Sequence, residues 1–119
     1  MILSALFVDY VIGFGSCITE KREQPIWSAI KEENLKEFFF MGDNVYGDNK
    51  ETGALDDMIV AYALQKEKLP KWLNNINVNA IWDDHDYGKN DGGKEYVYKT
   101  QSQTLFLDFW KVPENDPRR

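Results

Sequence analysis

The stretch "EFFFMGDNVYGD", residues 37–48, decides how the chain is read. Phe38, Phe39, Phe40 and Met41 follow one another without a polar break, and Gly42 ends the run. Unbroken apolar runs of this length are expected of a strand covered on both faces, as in a parallel sheet. Asp43 and Asn44 then suit a turn, because their side chains bond their own backbone. Upstream, "DYVIGFGSC" (residues 9–17) reads as a β-branched and aromatic strand ending in a Gly-Phe-Gly-Ser turn. Downstream, "INVNAIW" (76–82) reads as a third strand, followed by a polar Gly- and Asp-rich loop from Asp83 to Gly93.

Helical spacing fills the intervals. Pro25 suits a first helical turn, with Ile26, Trp27 and Ile30 on one apolar face. Leu55, Met58, Ile59 and Tyr62 fall at i, i+3, i+4 and i+7, which predicts a helix from Leu55 to about Trp72, kinked or ended by Pro70. A last helix carries Leu105, Phe106, Phe109 and Trp110 on one side and stops before Pro113. The order βαβαβα is that of an α/β layered fold with a largely parallel sheet. Parallel strands joined by right-handed crossovers bring their carboxyl ends to one edge, and ligands of open α/β sheets bind beyond that edge.

At 119 residues the chain is one small domain, 1–119, with 43% hydrophobic and 14% aromatic residues, enough for a limited core. Its net charge of −6 and pI near 4.7 argue against general nucleic-acid binding. A phosphate-bearing substrate stays compatible, since bound cations reverse the local sign. The single cysteine, Cys17, excludes an intrachain disulfide. The apolar run "MILSALFVDYVI" (1–12) includes Asp9 and lacks a basic leader, so it reads as a first strand and not as a membrane span or signal peptide.

Three polar strand exits should therefore share one rim: Gly15-Ser16-Cys17, then Gly42-Asp43-Asn44 with Tyr46 and Asp48, then Asp83-Asp84-His85-Asp86 with Asn90 and Asp91. Taken singly, each reads as a turn or a solvated acidic loop. Their coincidence at strand ends shifts the balance, because crowded carboxylates in a partly buried rim repel unless a cation offsets them. Carboxylate, carboxamide, phenol and imidazole suit calcium, manganese, iron or zinc, and a thiolate favours iron or zinc. Asp43 is the natural bridge between two ions, and His85, the only histidine, is placed to steady or protonate a leaving oxygen.

"GFGSC", "FFFMGDNVYGD" and "IWDDHDYGKND", in that order, resemble the PhoD-type alkaline phosphatases and phosphodiesterases of the calcineurin-like metallophosphatase superfamily. The resemblance runs from about Ile12 to Arg119. It implies a metallophosphatase fold and hydrolysis of phosphate mono- or diesters with iron beside calcium. Residue by residue, it implies that Cys17 and Tyr46 bind iron, Asp43 bridges the metals, Asp84 ligates the second metal and His85 meets the scissile phosphate. Asn44, Asp83, Asp86 and Asn90 fall to the surrounding shell or substrate rim. Members are often exported, whereas this sequence carries no convincing signal peptide. The family's later motifs, which supply further ligands, are not found here, so the expectation is the N-terminal part of a longer domain with half of a two-sheet sandwich absent. Apolar surface beside the strands, marginal stability or self-association, or pairing with the other half, and incomplete metal binding follow from that expectation. The alternative is a catalytically incomplete metal-binding or interaction module.

Overall fold

The computed structural model describes residues 9–49, 51 and 54–119. Three strands, β1 (Ile12–Gly15), β2 (Glu37–Met41) and β3 (Asn77–Ile81), form a parallel sheet in the order β1-β2-β3. Ile12 pairs with Glu37, and Glu37 with Asn77, so the three strands start level and leave the sheet at one edge. Helices α1 (Ile26–Glu32) and α2 (Asp56–Lys68) form the two crossovers, and a short α3 (Asp84–Tyr87) and α4 (Lys99–Phe109) follow β3. The part of the N-terminal apolar run before residue 9 lies outside the described residues.

The sheet grows in one direction, so crossovers of one hand lay both connecting segments on the same face. That corrects the expectation that β2 is covered on both faces. Phe38 and Phe40 are buried, whereas Phe39 is half-buried and Met41 exposed. On the covered face they pack with Trp27, Leu35 and Leu73, and the Phe40 ring lies tilted against Trp110 at 4.7 Å. Gly13 on β1 makes room for this cluster, since a Cβ there would lie 2.6 Å from the Phe38 ring. The other face presents Ile12, Phe14, Met41 and Ile81 to solvent, with Phe14 65% exposed. The expected apolar surface beside the strands is therefore present.

A second cluster joins α2 to α4 through Met58, Ala61, Tyr62, Phe106, Leu107 and Val112, with Val45 from the β2 exit at its centre. Of the two outcomes expected at Pro70, a kink or an end, the structure shows the end: α2 stops at Lys68 and does not reach Trp72. Leu69 and Pro70 adopt extended backbone, and a 3-10 turn, Lys71–Asn75, precedes β3. Proline's fixed φ and missing N–H account for the break. Leu105, Phe109 and Trp110 pack against the second cluster, although Trp110 lies just past the end of α4.

Candidate metal centre

The three strand exits do converge. The backbone beyond β1 bonds to the backbone beyond β2: Cys17 N–H donates to Gly42 O (3.2 Å) and Ile18 N–H to Asp43 O (3.0 Å). Gly42, at φ +95°, lies so close to the β3 exit that an added Cβ would sit 2.7 Å from Asp83 Cβ. Cys17 (φ 59°) and Asp43 (φ 53°) both occupy the left-handed region, which non-glycine residues adopt only when their surroundings hold them there. Such strain gathers at functional sites, and here it falls on three of the residues singled out in the sequence, Asp91 (φ 54°) being the third, as well as on Asn34 and Lys111 elsewhere.

Asp43 is the hub. Its Oδ2 accepts from the Tyr46 hydroxyl (2.9 Å) and from the Cys17 thiol (3.7 Å). Asp43, Asp84 and His85 also each offer a ligand atom, and these atoms lie within 4.8 Å of one another. One carboxylate thus belongs to two donor sets, one of thiol and phenol, the other of carboxylate and imidazole. Tyr46 packs its ring 4.4 Å from the His85 ring. Burial, together with the bonds to Cys17 and Asp43, raises the Tyr46 phenol well above its usual range. The phenol is held protonated, so ligation by Tyr46 has to release that proton.

His85 has a partner that the sequence assignment left out. Its Nδ1 lies 2.6 Å from Asp48 Oδ1, and the two side chains are only 16% and 4% exposed. Asp48 thereby fixes the ring and leaves Nε2 for another ligand. Asp48 belongs to the polar exit of β2, but nothing in a linear sequence shows that a carboxylate 37 positions away turns toward the imidazole.

The aspartates at 83–86 have separate tasks. Residues 84–87, expected as loop, form one helical turn because Asp83 and Asp86 make a capping box. Asp86 is fully buried, accepts from Asn44 N–H (2.9 Å) and Asp83 N–H (3.1 Å), and is pushed up to about 6 by burial. Asp84 accepts from Asp91 N–H (2.7 Å), the main reason its carboxyl is held below the usual range. Backbone amides therefore offset much of the repulsion that the sequence assigns to a cation. Asn44 is buried and its amide donates to Ile81 O (3.0 Å), tying the β2 exit to β3. Asn90 is exposed, bonds its neighbour Asp91, and is not gathered into the centre.

Three buried acceptors, Asp43 Oδ1, Asp48 Oδ2 and Asn44 Oδ1, find no hydrogen-bond partner among the described residues. A buried carboxylate oxygen without a donor is costly, and a hard cation is one group that satisfies it. The group of Asp43, Asp84 and His85 therefore fits a metal ion. Beside them an open cleft of about 470 Å³ is lined by Trp82, Asp83, Asp84 and Tyr87, with Lys94 as its cation. Trp82 and Tyr87 pack edge-on at 5.4 Å, so they serve first as packing for each other.

Comparison with known proteins found no matching family model, no matching curated protein and no matching solved structure.

Proposed function

We propose that the chain is the metal-holding part of a PhoD-like phosphoesterase that hydrolyses phosphate mono- or diesters. The observation that carries this reading is the sharing of Asp43 between the Cys17–Tyr46 pair and the Asp84–His85 pair. Cys17, Tyr46 and Asp43 would hold an iron-type ion, and Asp43 with Asp84 a second ion such as calcium, with zinc or manganese chemically compatible. Bound there, the ions would supply polarisation of the phosphoryl oxygens and a water acidified for attack.

The chain's own residues supply orientation and proton handling. His85, held through Nδ1 by Asp48, presents Nε2 to the phosphate or leaving oxygen, where it donates a hydrogen bond or a proton. Asp86 and Asn44 keep the β2 and β3 exits at fixed separation, so the ligands approach the ester as one rigid rim. Lys94, in the cleft beside Asp84, adds a positive charge for an anionic substrate.

The test is hydrolysis of p-nitrophenyl phosphate and bis(p-nitrophenyl) phosphate with iron and calcium supplied. Turnover should fall by roughly 10²–10⁴ in His85→Ala while the fold persists. Absence of turnover on both esters contradicts the enzyme reading. A second reading, a metal-holding interaction module without turnover, draws on the exposed Ile12, Phe14, Met41 and Ile81 face. Metal uptake without hydrolysis would favour it.

A further inference from the structure

At the opposite end of the strands from Asp43, α2, the 3-10 turn, the start of β3 and the end of α4 enclose a cleft of about 390 Å³. That volume lies within the range of small-molecule sites. Its floor is apolar, with Leu73, Val78 and Trp110, and its rim carries Lys66, Lys71 and Lys111. No carboxylate lines it, although the chain holds 20 acidic residues against 14 basic ones. The three ammonium groups form no ion pair among the described residues. Apolar walls and three cations make one consistent demand: an apolar body with an anionic head.

We propose that this cleft, between Leu73, Val78 and Trp110 and rimmed by Lys66, Lys71 and Lys111, binds a small anionic amphiphile of the medium-chain carboxylate class. The site is separate from the metal centre and does not depend on the phosphoesterase reading. An acyl chain lies against Val78 and Leu73, and the carboxylate meets the lysine rim at the cleft mouth. Lysine suits that task, since its flexible stem follows an anion as a point charge without demanding one geometry.

The test uses the whole chain and the quenching of its tryptophan fluorescence by 10-bromodecanoate, because a bromine seated in the cleft lies beside Trp110. 10-Bromodecanol, equal in chain and lacking the charge, is the comparison. Saturable quenching by the acid is expected, with the alcohol and the exposed-residue double variant Lys66→Glu/Lys71→Glu each weaker by about tenfold. The open-face variant Phe14→Ser/Met41→Ser should bind as the unaltered chain does, and circular dichroism checks that each variant is folded. Equal binding of acid and alcohol overturns the proposal. So does undiminished binding by the charge-reversed variant, or loss of binding in the open-face variant, which would place the amphiphile on the exposed sheet.

Discussion

Replacing Asp86 by asparagine should change how stability depends on pH, and the size of the change can be worked out in advance. Asp86 is fully buried, and burial pushes its carboxyl from 3.8 up to about 6, against the opposing pull of the amides of Asp83 and Asn44. Between those two values the folded chain keeps a proton that the unfolded chain has released. Raising the pH therefore costs stability. The contribution is present below 3.8 and is lost as the pH rises through about 6. At about 1.4 kcal/mol per pH unit, the interval amounts to about 3 kcal/mol. Asp86→Asn does not titrate. It forfeits one of two acceptor oxygens, a fixed cost of about 1–3 kcal/mol at every pH. Urea unfolding of both proteins at about pH 3.5 and about pH 7 separates the two effects, because the fixed cost cancels in the difference. The variant should gain about 3 kcal/mol on the unaltered chain across that range. Parallel pH profiles, differing by less than about 0.5 kcal/mol in their change, would mean that Asp86 is not a desolvated carboxyl.

Three further outcomes follow from the geometry. Asp48→Asn should lower kcat on phosphate esters by about 10–100-fold with little change in KM, because it loosens the His85 ring without touching the substrate; steady-state kinetics of the folded variant checks this. Gly42→Ala should cost about 1–3 kcal/mol in urea unfolding, since a side chain at φ +95° is strained and would meet Asp83 Cβ at 2.7 Å. Phe14→Ser/Met41→Ser should reduce self-association in sedimentation velocity without loss of secondary structure, because both residues lie exposed on the uncovered face.

The parts of the fold legible in the sequence were those that a local pattern sets. The run Phe38–Met41 announced a strand, and Gly42-Asp43 its exit. The i, i+3, i+4, i+7 spacing announced α2, because helix and strand periods write themselves into neighbouring residues. Sheet order is not local. That β2 has one bare face comes from both crossovers lying on the same side, which no stretch of residues 37–48 encodes. The break of α2 before Pro70 was legible too, because proline's fixed φ and missing N–H act locally on the backbone.

At the centre, the residue types were readable and their partners were not. Cys17, Asp43, Tyr46, Asp84 and His85 lie around one rim, as three parallel strand ends require. The Asp48–His85 pair depends on how the segment after β2 folds back, information spread over Val45, Gly47 and their packing on α2. The one signal within reach for α3 was the Asp-x-x-Asp spacing of Asp83 and Asp86, a capping box in which aspartate replaces the usual glutamate.

On the proposed reading, Asp43 is the shared ligand of a metal centre built from three strand exits. Elemental analysis of the chain after incubation with iron and calcium and removal of excess ions tests it most directly, beside Asp43→Ala prepared in the same way. Bound metal is expected in the unaltered chain and its loss in the variant, with the circular dichroism spectrum retained. A chain that holds no ion, or that holds as much without the Asp43 carboxylate, would contradict it.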